Sequence, residues 1–132
     1  MKKIKTALIS VSNKKNLKPL LKILIKNKVK IISSGGTYNE IKRLKFKCLE
    51  VSKFTNSSEI LEGRVKTLHP KIHAGILNKR NNKSHLKDLR ENNFENIDLV
   101  IVNFYPFEET LKNTKDYNKI IENIDVGGPT MV

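Results

Sequence analysis

The chain has 132 residues and a mass of 15.2 kDa, the size of one ordinary domain. With 38% hydrophobic and 30% charged residues, 6 Gly and 4 Pro, it falls outside the low-complexity and disordered classes, and its longest apolar run, Leu99 to Val102, is far short of the roughly 20 residues of a membrane span. The net charge of +13 is concentrated before residue 51 and carried by 22 Lys against 4 Arg, in a chain also rich in Asn and Ile. That bias predicts a solvated lysine surface with no specific nucleic-acid partner, because bidentate Arg and stacking aromatics are both sparse. No membrane partner is expected, and the single cysteine, Cys48, points to a reducing compartment, the cytoplasm.

Thr6 to Val11 is a short apolar run that ends in Ser12 and Asn13, the pattern of a buried strand entering a turn. Leu17, Leu20, Leu21, Leu24 and Ile25 then form one helical stripe opposite Lys18, Lys22 and Lys26, with Asn16 as the expected N-cap and Pro19 in the first turn. Val29 to Ser33 reads as a second strand, Ser34-Gly35-Gly36-Thr37 as a turn, and Ile41 and Leu44 as the continuation of a second helix. A third short strand is expected to include Cys48 to Val51. This alternation predicts an α/β fold: an open parallel sheet with helices on both faces.

Ser52 to Lys83 lacks a clear period and reads as functional loop with short helical pieces. A helix capped by Ser84 is expected through about Asn92. Ile97 to Phe104 is continuous enough to be the central strand of the sheet. Short helices follow around Phe107 to Lys112 and Tyr117 to Glu122. Asp125 to Thr130 reads as the start of another helix, so close to Val132 that a C-terminally truncated domain spanning residues 1–132 is expected.

Ligands of open parallel sheets bind outside the carboxyl ends of the strands. Those positions hold Ser10, Ser12 and Lys14 after the first strand, Ser34, Gly35, Gly36 and Thr37 after the second, and Asn103 and Tyr105 after the long one. Hydroxyls, free amides at a helix start and a lysine all favour an anion, so the set predicts a phosphate cradle. Gly35-Gly36-Thr37 alone would be no more than a tight strand-to-helix turn; the second turn at the same edge is what points to phosphate. No dinucleotide or Walker A fingerprint is present. His69 and His73 stand four apart, but Pro70 and the lack of a following Glu argue against a metal pair. Cys48 lies in an apolar pattern and is expected to be a buried, inert thiol.

Four blocks carry a resemblance: Ala7 to Ser12, Ser34 to Thr37, Gly63 to His73 (GRVKTLHPKIH) and Glu122 to Met131 (ENIDVGGPTM). With Asp98 to Phe107 between them, the chain resembles the N-terminal inosinate cyclohydrolase domain of the bifunctional purine-biosynthesis proteins along its whole length. The resemblance implies the methylglyoxal-synthase-like fold, a cytoplasmic homodimer normally fused to a transformylase domain, absent from these 132 residues, and closure of 5-formamidoimidazole-4-carboxamide ribotide to inosine monophosphate. It implies no cofactor and no metal. It further implies that Ser12, Lys14, Ser34, Gly36, Thr37, Arg64 and Thr67 hold the phosphate end, with Ser10 and Gly35 beside them, that Asn103, Gly127 and Gly128 contact the base, that Lys66 and Tyr105 donate to an oxyanion, and that Asp125 accepts a proton. Asn13 stands where the family usually has Asp, and Ala74 where it has Gly. The family's lysine partner of the aspartate falls beyond Val132. Methylglyoxal synthase shares the fold, but the Arg64 to His73 block argues against it; a nucleotide-binding regulatory domain of the same fold, without catalysis, is the alternative.

Overall fold

The computed structural model describes residues 3–132. Four parallel strands, β1 (Thr6–Val11), β2 (Lys30–Ser33), β3 (Leu49–Glu50) and β4 (Leu99–Asn103), form one sheet in the order β3-β2-β1-β4. The helices are α1 (Leu17–Lys26), α2 (Gly35–Arg43), α3 (Val51–Thr55), α4 (Pro70–Leu77), α5 (Lys83–Glu91), α6 (Phe107–Asn113) and α7 (Tyr117–Glu122), followed by a 3-10 turn at Pro129–Met131. Among the described residues no helix is long and apolar enough to cross a membrane.

Alternate strand residues face opposite sides, so an apolar strand covered on both sides feeds two cores. Ala7, Ile9 and Ile31 pack with Leu17, Leu21 and Leu24 of α1 and Ile41 of α2. Leu8 and Ile32 pack on the other side with Val51 and Phe54 of α3, Ile72 of α4, Ile97 and Met131. The register pairs Leu8 with Ile32 on one flank and with Val100 on the other, putting β1 at the centre of the fold.

Several expectations need correction. β4 is an edge strand and not the central one: its residues are half-buried or exposed, and among the described residues it pairs only with β1. A continuous apolar run marks burial on two faces, and says nothing about whether both edges are paired. β3 is two residues long, because Val51 already begins α3. Asn82, and not Ser84, caps α5, its side chain accepting from the amides of Ser84 and His85. Asn16 occupies the N-cap of α1 in a left-handed conformation (φ 63) that gives no side-chain cap; Asn13 instead accepts from the Lys15 amide at 2.9 Å. The helix expected from Asp125 to Thr130 is the short 3-10 turn.

His69 caps α4, its Nδ1 accepting from the Lys71 amide at 3.1 Å, with Pro70 at the first helical position where no amide is needed. Cys48 is half-buried, and burial pushes its thiol up to about 12. At neutral pH it stays a thiol.

Candidate functional site

The parallel order brings the carboxyl ends of β1, β2 and β4 to one edge, where the chain turns into loops and helix starts. Together with residues 61–68 and 122–128 these ends enclose a crevice of about 480 Å³. All but one of the residues expected to act together line it: Ser10, Ser12, Lys14, Ser34, Gly36, Thr37, Arg64, Lys66, Thr67, Asn103, Tyr105, Asp125, Gly127 and Gly128. Gly35 lies just behind, with its φ of +53 in the left-handed region. A Cβ there would come within 2.9 Å of Lys66 Nζ. Glycine at 35 therefore lets the lysine lie against the turn.

The start of α2 has the makings of an anion cradle. Among the described residues the amides of Gly35, Gly36 and Thr37 donate to no backbone or side-chain acceptor, and the first helical bond runs from Tyr38 to the Ser34 carbonyl. Ser34 is 4% exposed, yet its hydroxyl has no hydrogen-bond partner. It does not cap the helix either. Lys14 Nζ donates to the Ser12 carbonyl at 3.0 Å and lies 3.6 Å from where a Cβ on Gly36 would be. Free amides, a buried hydroxyl and a lysine at one helix start favour negative charge.

Two residues expected to touch ligand are already engaged within the protein. Thr37 Oγ1 accepts from the Val11 amide at 3.0 Å and donates to the Val11 carbonyl at 2.9 Å, tying α2 to the end of β1. Asn103 Oδ1 accepts from the amides of Ser12 and Asn13 at 2.6 and 3.1 Å, and its Nδ2 donates to the Asn13 carbonyl at 3.0 Å. These side chains hold the β1 loop in shape. Of their polar groups, the Thr37 amide is the one left for an anion.

On the facing wall, the segment from Ile60 to Val65 folds into a tight hairpin closed by two backbone bonds of 3.2 Å. Leu61, Glu62 and Gly63 have φ values of 52, 56 and 82. Two consecutive non-glycine residues in that region cost about 1–2 kcal/mol each, strain of the kind concentrated at ligand-binding loops. Arg64 donates to the Ile121 carbonyl at 3.2 Å, linking this hairpin to α7. Asp125 Oδ1 accepts from the Gly128 amide at 2.8 Å, and a Cβ on Gly127 would come within 2.7 Å of Thr67 Oγ1. Among the described residues the side chains of Lys66 and Tyr105 have no hydrogen-bond partner, and Tyr105 is 46% exposed.

Leu61, Glu62, Val65, Leu68, Glu122, Ile124 and Val126 also line the crevice and were not among the expected residues. The pair Glu62-Gly63 was the one signal within reach, as a turn preceding the basic block. Away from the crevice, the Arg43 guanidinium bonds the Glu40 carboxylate and holds it below its ordinary value, with Lys14 adding to the effect.

A family model described as MGS-like domain matches residues 16–130. The chain belongs to the MGS-like domain family. It is 54% identical over 127 residues to the bifunctional purine biosynthesis protein PurH of Prochlorococcus marinus strain MIT 9301, covering 96% of this chain and 25% of that protein. With the PurH of Fusobacterium nucleatum it shares 50% over 128 residues, 97% of this chain and 25% of the relative. The chain thus spans about a quarter of the length of the curated relatives it matches. The solved structure titled "Crystal structure of ForH" superposes with a TM-score of 0.81 at 30% identity, over 97% of this chain and 65% of that one. Both curated relatives are named bifunctional purine biosynthesis proteins.

Proposed function

We propose that this chain is an inosinate cyclohydrolase domain, closing 5-formamidoimidazole-4-carboxamide ribotide to inosine monophosphate with loss of water. One observation carries the reading: a single crevice gathers Lys66, Tyr105 and Asp125 beside an anion cradle, in a chain half identical to bifunctional purine-biosynthesis proteins. Both reacting groups sit on one substrate molecule, so holding the ribotide in its cyclising conformation supplies much of the rate.

The ribotide phosphate binds at the start of α2, to the amides of Gly35, Gly36 and Thr37, the Ser34 hydroxyl and Lys14, with Ser10, Ser12, Arg64 and Thr67 completing its surroundings. The carboxamide nitrogen attacks the formyl carbon, whose oxygen becomes an alkoxide. Lys66 and Tyr105 donate to that oxygen as charge develops, the step at which fixed donors lower a barrier most. Asp125 accepts the proton the carboxamide nitrogen loses and returns it to the alkoxide; the resulting hydroxyl takes a second proton, the one the formamide nitrogen gives up as it forms the C–N double bond, and leaves as water. Gly127 and Gly128 offer backbone contacts to the base, and Asn103 acts from behind the loop it holds. We extend the proposal to a cytoplasmic homodimer working alongside a transformylase domain, with residues 1–132 belonging to the cyclohydrolase unit.

A second reading, binding of a nucleotide without turnover, draws on the exposure of Tyr105 and on the lack of any hydrogen bond fixing Lys66. Calorimetry with inosine monophosphate beside a spectrophotometric cyclisation assay separates the two. Binding with turnover is expected; binding alone would favour the second reading, and neither would defeat both.

A further inference from the structure

Beside the crevice one acid has a buried oxygen to which nothing is bonded. Glu59 immediately precedes the strained hairpin, and its Oε1 is buried without a hydrogen-bond partner. Among the described residues neither Glu59 nor Lys66 enters an ion pair. A buried carboxylate oxygen in that state is costly unless a donor comes within reach of it.

The hairpin brings one cation close. Ile60 and Val65 exchange two backbone bonds of 3.2 Å, so Glu59 and Lys66 form the next pair along the ribbon, with their side chains on one side of it. A Cβ on Gly63 would lie 3.0 Å from Glu59 Oε2 and 3.7 Å from Lys66 Nζ, so these opposite charges stand at most about 7 Å apart and attract across the glycine. Lys66 lines the crevice and Glu59 does not. The carboxylate therefore stands behind the lysine.

Lys66 also faces a competing attraction. Its Nζ is 2.9 Å from where a Cβ on Gly35 would be, at the edge of the cradle formed by the amides of Gly35, Gly36 and Thr37. Once a phosphate is seated there, an ammonium on a flexible four-carbon stem is drawn to it and away from the reaction centre. The phosphate already has Lys14 and Arg64 in the same crevice. Of the other carboxylates, Glu62 and Glu122 line the crevice itself, and Asp125 is bonded to the Gly128 amide. Glu59 is the one on Lys66's own hairpin with a buried oxygen still free.

We propose that Glu59 is a positioning residue that holds the Lys66 ammonium back from the ribotide phosphate and so keeps it for the reacting oxygen. The restraint on Lys66 follows from the hairpin geometry; its use in turnover rests on the cyclohydrolase reading.

The test measures kcat and KM, and by calorimetry the affinity for inosine monophosphate and for inorganic phosphate, in the parent chain, Glu59→Gln, Lys66→Met and the double variant. Glu59→Gln should lower kcat at least tenfold while both anions bind about threefold tighter, because the lysine collapses onto the phosphate. In the Lys66→Met background the same change should lower kcat no further and tighten binding less than half as much. A residue that only supports the fold would weaken binding together with turnover, in both backgrounds. That result, or unchanged kcat and affinity in a folded Glu59→Gln chain, would overturn the proposal. Glu59→Ala buries no new polar group and should repeat the pattern; loss of the fold in both Glu59 variants, read from their amide spectra, would make the residue structural and overturn it as well. A parent chain that binds without turnover would defeat the cyclohydrolase reading alone, since tighter binding in Glu59→Gln and its dependence on Lys66 still decide whether Glu59 restrains the lysine.

Discussion

Replacing Ser34 by alanine should move stability and ligand affinity in opposite directions. A serine at a helix N-cap ordinarily stabilises, and its loss costs about 0.5–2 kcal/mol. Here the hydroxyl bonds nothing in the helix and is buried without a partner. Such a group costs the folded protein about 1–3 kcal/mol of desolvation, so Ser34→Ala should be neutral or more stable by about 1 kcal/mol. For a domain of this size that is a rise of roughly 4 °C in Tm. Removing a hydrogen bond to a charged phosphate costs about 1.5–3 kcal/mol, which is roughly a ten- to hundredfold weaker Kd. Thermal unfolding of the free protein and calorimetry with inosine monophosphate give both signs. A lower Tm with unchanged affinity would refute the assignment and make Ser34 an ordinary cap.

Three further outcomes follow from the packing. Thr37→Val strands the amide and carbonyl of Val11, so it should cost about 1–3 kcal/mol in urea unfolding; an unchanged midpoint would mean that Thr37 does not tie α2 to β1. Gly75→Ala puts a Cβ 2.8 Å from the Glu95 carbonyl oxygen and 3.1 Å from the Ile97 side chain, and overpacking of that kind costs about 1–3 kcal/mol; a variant as stable as the parent would show that α4 can shift freely. Cys48, raised from 9.0 to about 12, has about a thousandfold less thiolate at pH 8 than an ordinary thiol, so a disulfide reagent should modify the folded chain that much more slowly than the unfolded one. Because its folded value lies above its unfolded value, the stability it contributes is whole below about pH 9 and is lost as pH rises toward about 12. A Cys48→Ala chain should lack that alkaline loss, and an identical profile would contradict it.

The sequence revealed the fold wherever one period dominated. Thr6 to Val11 and the Leu17 to Ile25 stripe became β1 and α1 because each pattern fits one geometry only. Leu99 to Val102 misled: its residues do reach both cores, but strand order depends on partners that no local pattern encodes. The carboxyl-edge rule brought Ser12, Ser34 and Asn103 together correctly. It could not tell that the Thr37 and Asn103 side chains would be consumed by the β1 loop, since hydrogen-bond partners 26 and 90 residues away leave no trace in spacing. The left-handed turn at Leu61 and Glu62 was equally hidden, as neither residue type favours that region.

The central claim is that Lys66, Tyr105 and Asp125 act on one ribotide held at the start of α2. Its most direct test is the cyclisation rate of 5-formamidoimidazole-4-carboxamide ribotide for the parent chain and for Lys66→Met, with inosine monophosphate affinity measured on both. The account predicts a kcat lower by about 10² to 10³ in the variant, the usual effect of losing one oxyanion donor, with affinity changed far less. Equal turnover in the two chains, or a loss wholly in affinity, would contradict it.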